Sequence, residues 1–169
     1  MAAALASIEG RAWVFPEANI NTDVLMPSST FRLSRAEQAA AVLSAVRPGW
    51  AEEVGEGDVL VAGRNFGTGS ARAVPPLLMD LGIRCIVADS ISDLFYRNSI
   101  NSGLPAVQCA GVCGAVEEGQ VLAVDIGAGR VANRDTGAEL QGPPTPGLLQ
   151  EILAAGGLRA QLEAGGHVR

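Results

Sequence analysis

The segment Gly63-Arg-Asn-Phe-Gly-Thr-Gly-Ser-Ala-Arg72 sets a hydroxyl and a guanidinium two residues apart behind a glycine-rich turn. Glycines let the backbone approach an anionic ligand closely. The free N–H groups of a helix start point at such an anion. The sequence places Ser70 and Arg72 at the start of a helix read over Ala71–Leu81. Arg72 would supply a planar fork that fits a carboxylate bidentately. Ser70 would supply a hydroxyl, a poor base unless it is an alkoxide held by N–H donors and a nearby cation. Other readings compete. A P-loop needs Lys before the Ser, but Gly69 precedes Ser70 and all 12 basic residues are Arg. A dinucleotide fingerprint needs a third glycine where Arg72 stands. A tight turn capped by Ser70, with no chemistry at all, also fits.

The elements around this loop must hold it in place. Val59–Ala62 is a continuous apolar run, the mark of a strand buried on both faces. Ile83–Ala88 and Leu104–Cys109 read the same way. Between them lie the Ala71–Leu81 helix, with Pro75 and Pro76 in its first turn, and a helix over Ser90–Asn101 that stops at Gly103. Strand, helix, strand, helix, strand predicts parallel pairing. Upstream, Arg11–Phe15 reads as a strand, and Ser34 caps a helix over Arg35–Val46. Downstream, Gln120–Ile126 and Arg130–Ala132 form a hairpin around Gly127-Ala-Gly129. Gly147–Ala164 is a last helical region, weakened by Gly156-Gly157.

Composition removes several classes. A length of 169 residues fits one domain over 1–169. With 18 acidic and 12 basic residues the net charge is −6, which argues against a nucleic-acid backbone as partner. The absence of Lys excludes Schiff-base chemistry. No apolar run approaches the roughly 20 residues of a membrane span, and the first residues lack the basic start of a signal peptide. The expectation is a soluble cytoplasmic chain with no membrane partner. Three cysteines, Cys85, Cys109 and Cys113, form no disulfide framework. With His167 as the only histidine, they leave too few donors for a tetrahedral metal site, so no metal ligand is expected in this chain.

The ordered set of motifs carries a resemblance. Asn65-Phe-Gly-Thr-Gly-Ser-Ala-Arg72, Leu81-Gly-Ile-Arg-Cys-Ile-Val-Ala-Asp-Ser90 and Asp93-Leu-Phe-Tyr-Arg-Asn98 resemble the small subunit of 3-isopropylmalate dehydratase and the swivelling domain of the aconitase superfamily. Asn21-Thr-Asp-Val-Leu-Met-Pro27 resembles that family's N-terminal element, and Leu149–Leu158 its Gly-Gly-containing helix. The matches run over most of residues 13–164 in the family's order.

The resemblance implies an α/β fold: a three-layer β/β/α swivelling domain with a parallel central sheet and a smaller antiparallel sheet. It implies a hydro-lyase acting on a small hydroxy-dicarboxylate in leucine biosynthesis. Its active site is shared with a large subunit, in a heterodimer or heterotetramer, that holds a [4Fe-4S] cluster. Ser70 would be the base that removes a proton next to a carboxylate, and Arg72 would bind that carboxylate. Gly69 and Ala71 flank them as substrate contacts. Asp23, with Thr22 beside it, would orient the active-site groups; a turn or capping role for Asp23 is the alternative. Arg32 and Arg35 could reach a distal carboxylate or remain solvated.

The chain also departs from the family pattern. Gly-Ser-Ser-Arg-Glu-His becomes Gly69-Ser-Ala-Arg-Ala-Val74, so a second Ser, a Glu and a His are all replaced by apolar residues. Ser28-Ser-Thr-Phe-Arg32 stands where related enzymes often carry Arg-Tyr-Leu. Isopropylmalate, dimethylmalate, homoaconitate or another substituted malate therefore all remain open as substrate. Phe31 reads as a core residue, or else as a surface for an alkyl substituent. A non-catalytic carboxylate-binding module is the reading from a different class.

Overall fold

Successive side chains of a strand point to opposite faces, so an unbroken apolar run needs a core on each side. The computed structural model, which describes residue 5 and residues 7–166, provides both. Strands β1 (Ile8–Phe15), β2 (Val59–Ala62), β3 (Cys85–Ala88) and β4 (Ala106–Gln108) pair in parallel in the order β4-β3-β2-β1. Leu60, Ala62, Ile86 and Ala88 face one core. Their neighbours Val59, Val61, Cys85 and Val87 face the other.

The second half of the sheet is antiparallel. Strands β5 (Val121–Asp125), β6 (Arg130–Asn133) and β7 (Glu139–Gln141) extend it past β1 in the order β1-β5-β6-β7. β1 belongs to both halves. Ala12–Phe15 pair in parallel with Val59–Ala62, and Ile8–Arg11 pair antiparallel with Val121–Val124. The sheet curls until its two edges meet: a Cβ on Gly142, just past β7, would fall 2.0 Å from the Gln108 carbonyl oxygen at the end of β4. The hairpin expectation is met. β7, only three residues long, adds a strand that the sequence did not predict.

Helices cover the two cores. α1 (Thr22–Leu25), α2 (Arg35–Ala41), α3 (Trp50–Glu53), α4 (Val74–Leu81) and α5 (Asp93–Asn101) send Leu25, Ala39, Trp50, Leu78 and Phe95 into the first. α6 (Val112–Ala115), α7 (Gly147–Ala154) and α8 (Leu158–Ala164) meet the second through Val112, Ile152 and Leu158. A helical layer, the parallel strands and the antiparallel strands give the β/β/α arrangement.

Two helices differ from the sequence reading. α2 carries a complete capping box from Ser34 and Glu37, yet it ends at Ala41 rather than Val46. Leu43 takes a left-handed φ of 58° and is fully buried, so burial of this side chain overrides the helical pattern. α4 begins at Val74, not Ala71. Pro75 and Pro76 lack N–H donors and fit only the first turn, so the helix cannot start a turn earlier. The predicted C-terminal helix is divided into α7 and α8 at Gly156 and Gly157.

Candidate active site

The loop after β2 is held between two others at the carboxyl ends of the parallel strands. On one side, Asn19 N donates to Arg64 O (2.8 Å), Gly67 N to Ile20 O (2.8 Å) and Thr22 N to Thr68 O (2.8 Å). On the other, Phe66 N donates to Ser90 O (3.0 Å) and Ser92 N to Phe66 O (2.9 Å). The Ser92 hydroxyl donates to Gly67 O (2.7 Å). Phe66 is buried and meets Phe95 edge-on, with ring centroids 5.3 Å apart. This anchors residues 64–68 and delivers Gly69, Ser70 and Ala71, all exposed, beyond the sheet edge.

Ser70 does not cap a helix. Because α4 starts at Val74, no helix-start N–H groups surround the hydroxyl. The described donor to it is the Arg72 Nε, 3.3 Å from Ser70 Oγ. Arg72 also pairs with the Asp23 carboxylate and donates to the Met26 carbonyl. The Phe31 ring lies 4.9 Å from its guanidinium carbon. The Arg72 side chain is only 15% exposed, whereas that of Asp23 is 70% exposed. The loop after β2 and the turn through α1 thus bring Ser70, Arg72 and Asp23 together, with Thr22 buried beside them.

The other predicted residues lie differently. Arg35 is not brought to this loop; its guanidinium forks onto Asp80 near the end of α4, with Nη2 2.9 Å from Oδ1. Arg32 is exposed and makes no ion pair with a described residue. Phe31 is not a core residue: it is 52% exposed and packs on Arg72. Ala71, Arg72, Ala73 and Pro75 form one wall of a cleft of about 300 Å³, and Asn98 and Ser102 of α5 and its cap form the other. Neither Asn98 nor Ser102 was singled out from the sequence, although Asn98 closes one of the motifs. The Met26 carbonyl, a backbone acceptor, left no signal in residue type.

The thiols do not fit an iron–sulfur cluster, which needs several thiolates converging on one point. Cys85 and Cys109 are buried in the second core. Burial pushes the Cys85 thiol far up. Burial, with Asp89 and Glu17 nearby, raises Cys113 to about 12. Among the described residues no three His, Cys, Asp or Glu side chains gather into a metal site. His167 lies outside the described residues. Nor is any described helix long and apolar enough to cross a membrane.

The aconitase C-terminal domain family matches residues 19–110, which include both site loops and three of the four parallel-paired strands. The chain belongs to this family. Within it, the chain is 46% identical over 153 residues to a 3-isopropylmalate dehydratase small subunit of Methanopyrus kandleri, covering 89% of each chain. It is 40% identical over 158 residues to the isopropylmalate/citramalate isomerase small subunit of Methanocaldococcus jannaschii, covering 92% of this chain and 94% of that one. The crystal structure of a 3-isopropylmalate dehydratase from Methanocaldococcus jannaschii superimposes with a TM-score of 0.87 at 31% identity, covering 95% of this chain and 96% of that one. The family fold therefore extends over the antiparallel strands and the C-terminal helices as well.

Proposed function

We propose that this chain is the small subunit of a 3-isopropylmalate dehydratase, a hydro-lyase that dehydrates and rehydrates a substituted malate in leucine biosynthesis. It would act as one swivelling domain over residues 1–169. The observation that carries the reading is the Arg72 Nε–H directed at Ser70 Oγ in a chain of this family. In this reading the Ser70 alkoxide takes the proton from the carbon next to a substrate carboxylate. The electron pair left behind moves toward that carboxylate, where the Arg72 fork neutralises the growing charge. On its return the pair forms the carbon–carbon double bond as the hydroxyl leaves the neighbouring carbon as hydroxide or water. Since no helix start serves Ser70, stabilisation of the alkoxide falls on Arg72.

To take a carboxylate, the Arg72 fork exchanges Asp23 and the Met26 carbonyl for the ligand. Asp23 would then act by setting the resting position of Arg72. Gly69 and Ala71 lie at the substrate by virtue of flanking Ser70. The [4Fe-4S] cluster that the family implies belongs, in this reading, to the larger partner subunit, because the thiols here do not suit it. The complex would be a heterodimer or heterotetramer.

Co-expression with a cluster-bearing large subunit under anaerobic conditions tests the proposal. The complex should form the unsaturated product, followed by absorbance, from isopropylmalate, citramalate or dimethylmalate. This chain alone should form none. A purified, cluster-loaded complex that turns over none of the three would refute it.

A further inference from the structure

Four hydroxyls are buried among the described residues: those of Thr22, Thr30, Ser99 and Thr145. Three of them are satisfied. Thr30 donates to Pro27 O (2.6 Å), Ser99 to Phe95 O (2.9 Å) and Thr145 to Ile126 O (2.7 Å). Thr22 is 2% exposed, and its Oγ1 has no hydrogen-bond partner. A buried hydroxyl without a partner bears its desolvation cost with no return, and such groups are uncommon enough to call for a reason.

The orphan oxygen is aimed at the catalytic loop. It lies 2.9 Å from the point a Cβ would occupy on Gly69, which has a φ of +103°. No side chain fits there, so the backbone on the N-terminal side of Ser70 runs directly over the Thr22 hydroxyl. The Thr22 N–H already holds Thr68 O (2.8 Å). The next residue, Asp23, holds Arg72 on the other side of Ser70. The first turn of α1 therefore grips the loop on both sides of Ser70.

These two ties behave differently when substrate arrives. In the reading above, a substrate carboxylate would displace Asp23 from Arg72 and so release the C-terminal side of the loop. The N-terminal side stays against Thr22, whose hydroxyl is still uncommitted. The peptide that joins Gly69 to Ser70, with its carbonyl acceptor and N–H donor, begins at the residue this hydroxyl faces.

We propose that Thr22 is a positioning residue for Ser70, its hydroxyl held in reserve for the Gly69–Ser70 peptide once a carboxylate occupies Arg72. The inference rests on the Ser70 reading above. A bond absent at rest and made in the reacting state raises kcat rather than lowering KM. At rest the hydroxyl only costs stability, so an isosteric apolar replacement relieves that cost.

The test uses the reconstituted complex with its large subunit. Thr22→Val should lower kcat by about tenfold or more with KM held within about twofold. Its melting temperature should be equal to or above that of the parent. Thr22→Ser, which restores the hydroxyl, should recover kcat to within about threefold of the parent. Wild-type kcat in Thr22→Val would overturn the inference. So would a rate lost together with melting temperature or assembly, or one that Thr22→Ser does not restore. Ser70→Ala separates the two readings. If it is inactive while Thr22→Val is normal, only the role of Thr22 fails. If Ser70→Ala keeps the parental rate, both fail.

Discussion

Arg72 Nε is 3.3 Å from Ser70 Oγ, with the nitrogen as donor. A donor facing the hydroxyl oxygen favours its anionic form, which is the form a base requires. Lysine at this position would keep the charge but lose the fork and the Nε–H. Arg72→Lys should therefore lower kcat/KM by about a hundredfold in the assembled enzyme. Steady-state rates over a range of pH check it, and a variant within about threefold of the parent would remove Arg72 from the mechanism.

Phe31 covers one side of the same guanidinium while remaining half-exposed. If Arg72 binds a substrate carboxylate as proposed, the exposed ring beside its fork would offer apolar contact to an alkyl substituent carried next to that carboxylate. Phe31→Ala should lower kcat/KM for isopropylmalate about tenfold relative to citramalate, the range expected from lost contact with a few methyl groups. Melting temperature should fall only modestly, since half of the residue stays exposed. Equal losses on both substrates would assign Phe31 to supporting Arg72 alone.

How far the sequence discloses this site depends on the scale of each feature. β2 and β3 are legible because both faces are buried, and unbroken apolar runs announce it. α1, α3 and α6 have four residues each, too few for any periodicity. The start of α4 was readable from Pro75 and Pro76, but the apolar pattern runs past that boundary into Ala71. Ser70, Arg72 and Asp23 stand out as chemistry-bearing types in motif order. The Met26 carbonyl and the unsatisfied Thr22 hydroxyl do not, since a backbone acceptor and an empty hydrogen bond exist only once the loops are packed. Phe31 misleads for a similar reason: aromatic type suggests a core, and only the fold places it outside.

Arg35 separates the two predicted distal cations. Its fork on Asp80 joins α2 to α4, with both side chains substantially exposed. Exposed pairs contribute little to stability and are screened by salt. Arg35→Ala should leave kcat and KM of the complex unchanged and shift the melting temperature only slightly. A large rise in KM would instead show that the fork leaves Asp80 to hold substrate.

Asp58 supplies the clearest dependence on pH. In the sequence it ends the acidic, glycine-punctuated stretch 50–58, with nothing in residue type to mark it. In the fold it is buried at the start of β2 and accepts from Arg11 Nη2 (2.8 Å), Trp13 Nε1 (2.7 Å) and the Gly55 amide (2.8 Å). Arg11 and Trp13 sit two apart on β1, so one carboxylate gathers a single face of that strand and pins it against β2. Burial pushes the carboxyl upward, but the bonds from Arg11, Gly55 and Trp13 outweigh it, and the group lies below its ordinary 3.8. A carboxyl depressed in the folded state binds its proton more readily when unfolded. Its stabilisation is therefore complete above pH 3.8 and is lost as pH falls through the lower folded value. All three donors meet the one oxygen Oδ2, so an amide oxygen can take its place but brings no charge to match Arg11, and Asp58→Asn should cost about 2 kcal/mol at neutral pH. Urea titrations of the isolated chain at a series of pH values check both points. The parent should lose stability steeply in the acid range, and Asp58→Asn should show a flatter profile there. Parallel profiles would mean that some other carboxylate governs acid unfolding.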